Sequence, residues 1–124
     1  MAAARELGVT VYAYSPLGRG LLTGKYVRPV NRPKLTSHPD SQRSPDDFEE
    51  GDIRRVIPRY SKENFPNVLK VVEEIQQIGK RHDASAGQVT LAWLLAQGPD
   101  IIPIPGTRNV TVRKKSTSPL GVDV

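Results

Sequence analysis

The sequence predicts an α/β fold built on parallel strands, met here as a slice of a larger domain. Three observations carry that expectation. Two strand-like runs, at residues 9–14 and 101–104, stand far apart in a chain of 124 residues. Helical periodicity fills much of the interval between them, and strands separated by helices pair in parallel through crossovers. A glycine-bearing loop follows each strand. Two parallel strands cannot bury both faces of a sheet, and each leaves an open edge, so further strands are expected to complete the domain.

The elements follow in order. Residues 2–7 read as the closing turns of a helix, stopped by Gly8 as its cap. The run V-T-V-Y-A-Y at 9–14 is β-branched and aromatic with no strongly charged face, which suits a buried parallel strand. Residues 15–24 form a loop with three glycines, and residues 28–45 are charged and proline-rich, with neither helical nor strand period. Residues 46–57 have room for a short helix ended by Pro58.

The clearest helix is expected to start at Ser61, a hydroxyl cap, and to end near Arg81 or His82, with Gly79 weakening that end. Along it Val68, Leu69, Val72, Ile75 and Ile78 recur at helical spacing while Lys70, Glu73, Glu74 and Gln77 face away. A second helix follows Ser85, with Gln88 three residues on as a capping box. It is apolar almost all round, so it is expected to be covered on most sides. Gly98-Pro99 closes it, and the strand Ile101-Ile102-Pro103-Ile104 comes next. That strand poses a problem, because proline donates nothing to a sheet ladder. Residues 1–109 are thus one α/β unit, and residues 110–124 are expected to be a disordered tail.

Composition narrows the function classes. The chain has no cysteine, which excludes disulfides and cysteine-ligated metal centres. No apolar run approaches the ~20 residues of a membrane helix, and the first residues lack the apolar core of a signal peptide. The expectation is a cytoplasmic protein with no membrane association. A net charge of +5 invites a nucleic-acid reading. The cations are scattered, however, and no aromatic residues alternate with them to form a stacking platform, so no nucleic-acid partner is expected.

Chemistry concentrates in the two loops. Ser15-Pro16-Leu17-Gly18-Arg19-Gly20-Leu21-Leu22 follows directly on the first strand. Glycine N–H groups can converge on an oxyanion, Ser15 adds a hydroxyl and Arg19 a charge; the same letters also spell an ordinary turn. Gly106-Thr107-Arg108 follows the other strand, and a guanidinium there either grips a phosphate through two parallel bonds or is a solvated loop cation. In parallel α/β folds the C-terminal strand ends form the ligand face, so both loops fall on one side.

Residues 11–25, V-Y-A-Y-S-P-L-G-R-G-L-L-T-G-K, resemble the strand-seven segment of aldo-keto reductases. Arg59-Tyr60-Ser61-Lys62-Glu63-Asn64, the run Q-V-T-L-A-W-L-L at 88–95, and Ile102-Pro103-Ile104-Pro105-Gly106-Thr107 are similar to that family in the same order. The subgroup suggested is that of the auxin-induced-type, pyridoxal-type and perakine-type reductases and the potassium-channel β subunits. The resemblance implies a (β/α)8 TIM barrel of which this chain is the C-terminal slice, strands seven and eight with their helices. It implies NADP(H) as cofactor and a small-molecule carbonyl substrate, an aldehyde or ketone. Ser15, Leu17, Gly18, Gly20 and Leu21 match the family loop over the pyrophosphate; Gly106, Thr107 and Arg108 match the loop at the adenosine 2′-phosphate.

The departures are as informative. The family's Asp, Tyr, Lys and His set sits after strands one to four, which this chain does not carry, so the chain alone is expected to be inactive. Tyr12 and Tyr14 lie on strand seven, and His38 and His82 are expected to be solvated. The adenine-gripping Glu-Asn pair is missing after Val110, where T-V-R-K-K-S stands instead. An altered reading frame and an alternative exon end both account for this. The competing reading is a non-catalytic module that associates with barrel or channel partners, or with itself, through open strand edges.

Overall fold

The computed structural model of the chain describes residues 2–24 and 48–107. Helix α1 (Ala2–Glu6) stops at Gly8, whose φ of +62° lets the chain fold back. The Gly8 N–H then donates to the Arg5 carbonyl at 3.1 Å, and the Val9 N–H to the Ala4 carbonyl at 2.8 Å. Strand β1 (Val11–Tyr14) follows, and the chain crosses through α2 (Phe65–Arg81) and α3 (Ala86–Leu95) to β2 (Ile101–Ile104). The two strands pair in parallel, from Val11 opposite Ile101 to Tyr14 opposite Ile104. The parallel pairing and the helical crossover are as expected.

The register explains Pro103. The Val11 N–H donates to the Asp100 carbonyl at 2.8 Å. Period-two alternation then turns the backbone of Ile102 and Ile104 toward β1 and the Pro103 nitrogen toward the opposite edge. Among the described residues no strand pairs with that edge. The missing N–H is therefore not one the ladder uses.

The same alternation divides the sheet faces. Val11, Ala13, Ile101 and Pro103 are the more buried set, on the side where α3 packs. Tyr12 and Tyr14 are 64% and 78% exposed, and Ile102 and Ile104 lie beside them on the same open face. The expectation of a buried β1 is corrected: one face of it is bare. So is the expectation for α3, whose Trp93 is 62% exposed. Both are apolar surfaces with no covering element among the described residues.

Local chemistry shifts two boundaries. In place of a helix over 46–57, the structure has two short 3₁₀ turns, Ile53–Val56 and Pro58–Tyr60. Asp52 caps the first, accepting the Arg54 N–H at 2.9 Å. Helix α2 begins at Phe65 rather than at Ser61. The Ser61 carbonyl accepts the Phe65 N–H at 2.8 Å and its hydroxyl lies 3.3 Å from the Asn64 N–H, so Ser61 closes a turn ahead of the helix. Asn64 becomes the cap, and Pro66 occupies the first turn, where no N–H is needed.

The corner between the helices corrects the reading of Gly79. Far from weakening the helix end, it is buried where the chain returns, and its carbonyl accepts the Ala84 N–H at 2.9 Å. A Cβ at this position would overlap the Ala84 carbonyl oxygen. The α3 cap is the expected box: the Ser85 hydroxyl accepts the Gln88 N–H at 3.3 Å, and the Gln88 amide oxygen accepts the Ser85 N–H at 3.0 Å.

A compact aromatic cluster supports the loop after β1. Tyr60 and Phe65 are fully buried with Leu21, Phe48 and Leu69 around them. Phe48 meets Tyr60 edge-on at 5.6 Å between ring centroids. The Arg54 guanidinium lies 4.4 Å over the Phe48 ring and pairs with the Asp52 carboxylate.

Candidate functional site at the strand ends

Because β1 and β2 are parallel neighbours, the loops that follow them leave from the same end of the sheet. The first doubles back tightly. Ser15, Gly18, Arg19, Gly20 and Gly24 all have positive φ, at 51°, 55°, 55°, 88° and 76°. Three left-handed residues in a row, Gly18-Arg19-Gly20, need support, since Arg19 has a Cβ that this conformation crowds. The support comes from within the loop and from below it. Leu21 is buried in the aromatic cluster, and the Leu22 N–H donates to the Leu17 carbonyl at 3.2 Å.

The donors available for an anion differ from those that composition suggests. The N–H groups of Gly18, Gly20 and Leu21 are taken up inside the turn, donating to the carbonyls of Ser15, Leu17 and Gly18 at 2.9, 3.1 and 3.1 Å. Among the described residues, the Leu17 and Arg19 N–H groups donate to no backbone carbonyl. The glycines thus shape the loop, and the N–H groups of Leu17 and Arg19 beside them are not used by its internal bonds. Arg19 is exposed at the loop tip.

Among the described residues, the carboxylate of Asp52 lies close enough to feel the charge of Arg19. Asp52 is held down to about 2, first by the Arg54 side chain, then by the Arg54 N–H, with smaller help from the charge of Arg19. Asp52 is therefore ionised in any ordinary buffer, and Arg54 is its principal partner.

The second loop is open. Gly106 and Thr107 are exposed, and a Cβ on Gly106 would meet nothing within 4 Å. Arg108 and residues 110–124 lie outside the described residues, as do His38 and the 28–45 segment. His82 is exposed just past the end of α2. Tyr14, which ends β1 immediately before Ser15, presents its ring on the open sheet face with Tyr12. Among the described residues no cluster of His, Asp or Glu has the makings of a metal site, and no helix is long and apolar enough to cross a membrane.

Sequence reasoning missed Tyr60. Its hydroxyl, fully buried, donates to the Gly18 carbonyl at 2.6 Å, across 42 positions of sequence. The signal that points to it is the R-Y-S-K-E-N stretch at 59–64, one of the segments on which the family resemblance rests.

Parallel strands are joined here through helices, with glycine-shaped loops at their C-terminal ends, the end at which open α/β sheets generally meet their ligands. The chain belongs to the aldo/keto reductase family, whose family model matches residues 1–117. It is similar to the aldo-keto reductase str7 of Strobilurus tenacellus, with 55% identity over 107 residues, covering 86% of this chain and 27% of that protein. It is also similar to the aldo-keto reductase yakc of Schizosaccharomyces pombe, whose name specifies NADP(+). There the identity is 46% over 122 residues, 98% of this chain and 31% of that protein. The chain therefore spans less than a third of either relative. No solved structure matches it.

Proposed function

We propose that this chain forms the C-terminal part of an NADP(H)-dependent aldo-keto reductase, contributing strands seven and eight of its (β/α)8 barrel and the loops that hold the cofactor. The observation that carries the reading is the convergence of the two loops at one end of the parallel pair, in a chain of this family. The donor set suits a dinucleotide phosphate: a Ser15 hydroxyl, the N–H groups of Leu17 and Arg19 that the turn does not use, and the exposed Arg19 guanidinium. Gly18, Gly20 and Leu21 give that loop its shape, and Gly106, Thr107 and Arg108 address the 2′-phosphate. When bound, NADPH supplies the hydride that reduces an aldehyde or ketone. This chain's residues bind and orient the cofactor, and the proton donor belongs to strands outside it, so the chain alone is inactive. The setting we propose is the cytoplasm.

A second reading rests on the bare sheet face of Tyr12, Tyr14, Ile102 and Ile104. A non-catalytic module would use that face and the open edges for association, with itself or with another barrel.

The test of the first reading is a chimera in which this chain replaces the matching segment of the Schizosaccharomyces pombe relative, titrated with NADPH and NADH by fluorescence. Arg108→Ala removes one charge-assisted contact that only NADP(H) offers, so NADPH affinity should fall roughly tenfold to a hundredfold while NADH is unmoved. Equal losses for both cofactors would show that Arg108 supports its loop and does not read the phosphate.

A further inference from the structure

We infer that Tyr60 is a positioning residue for the cofactor loop, fixing the Gly18–Arg19 peptide so that the Arg19 N–H faces outward toward a phosphate. The inference rests on the cofactor-loop reading above. The physical argument starts with the phenol. A fully buried ring in an aromatic cluster needs no oxygen for packing, and a buried hydroxyl is unfavourable unless it is bonded. Here it donates to the Gly18 carbonyl at 2.6 Å, and that carbonyl also accepts the Leu21 N–H at 3.1 Å. Two donors from different directions fix the orientation of one peptide plane.

That plane decides where the Arg19 N–H points. In a trans peptide the carbonyl and the N–H are antiparallel. A carbonyl drawn down to Tyr60 in the core therefore turns the next N–H away from the core. Arg19 is among the loop residues whose N–H donates to no backbone carbonyl among those described. It is also held at φ 55°, which a side-chain-bearing residue keeps only where its surroundings enforce it. The Tyr60 bond and the burial of Leu21 supply that constraint from beneath, while the loop surface stays open.

Tyr60→Phe keeps the ring and removes the bond. In the chimera, trypsin should cut the Arg19–Gly20 bond on the order of fivefold faster, measured against cutting at the exposed Lys70 within α2. In the chimera the KM for NADPH should rise by about the same factor, with the loss falling on KM rather than kcat, because a less populated loop conformation lowers apparent affinity. Equal acceleration at Arg19 and Lys70, or a fall in kcat with KM unmoved, would mean that Tyr60 merely holds up the fold; unchanged cutting at Arg19 would mean that it does not hold the loop. Each of these overturns the inference. The underlying reading is tested separately by asking whether NADPH shields Arg19–Gly20 from trypsin in the unsubstituted chimera. Faster cutting in Tyr60→Phe with neither shielding nor a change in KM would leave the bond real and the loop not a cofactor loop, and the inference would fall with the reading.

Discussion

Gly79→Ala reverses the sign that helix propensity alone predicts. At an exposed position inside a helix this change stabilises by about 0.5–1 kcal/mol. Gly79 is buried, and its new Cβ would overlap the Ala84 carbonyl oxygen, with Val89 Cγ2 3.5 Å away. The obstacle is backbone and cannot swing aside. It is held by the Ala84 N–H bond to Gly79 and by the capping box that starts at the next residue. Relief requires α2 and α3 to move apart at their corner. Overpacking of this kind costs about 1–3 kcal/mol, which exceeds the propensity gain, so a net loss of roughly 1–2 kcal/mol is expected. Gly87 provides the control. It lies in the first turn of α3, and its Cβ would meet only Leu17 Cδ2, at an ordinary 3.9 Å. Gly87→Ala should therefore gain about 0.5–1 kcal/mol. Urea unfolding of the chimera, followed by far-ultraviolet circular dichroism, should give the two variants opposite signs. A Gly79→Ala protein as stable as its parent would refute the steric argument.

Asp52 sets a pH dependence. Its folded value of about 2 lies below the ordinary 3.8, so the stability it contributes is present above 3.8 and is lost as pH falls through about 2. Asp52→Asn should flatten the acid limb of the stability profile across that window, read from urea midpoints; an unchanged limb would mean that the pairing with Arg54 adds nothing. The isolated chain, with its bare sheet face and exposed Trp93, should be molten, aggregated or oligomeric, and sedimentation together with near-ultraviolet dichroism reads this directly. A monodisperse monomer with one sharp thermal transition would contradict it.

The elements that sequence reading placed well are those whose determinants are local. The Ser85–Gln88 box marks the start of α3 because both partners lie within one turn. The parallel pairing of β1 and β2 follows from strand–helix–strand order. Where the deciding partner is distant, the pattern is silent. Ser61 looks like a helix cap, yet it closes the preceding turn, and its hydroxyl also lowers the Glu63 carboxyl, a local arrangement competing with helix. Trp93 carries an apolar signal whether or not a neighbour exists to cover it. Gly79 reads as a weak point because its reason, the Ala84 carbonyl, appears only once the corner is folded. In the candidate site, the loop and its glycines were legible. Which N–H groups remain available was not, because that depends on the left-handed run 18–20 and on Tyr60, 42 positions away.

The most direct test of the central claim compares steady-state NADPH oxidation, with an aromatic aldehyde as acceptor, by the purified chain and by the chimera. The claim is that this chain brings the cofactor loops while the proton donor lies outside it, and general acid catalysis requires that donor within hydrogen-bond reach of the carbonyl oxygen. The account predicts turnover by the chimera and none by the chain alone. Turnover by the chain alone, abolished by Ser15→Asp, would contradict it, and so would a folded chimera that binds no NADPH.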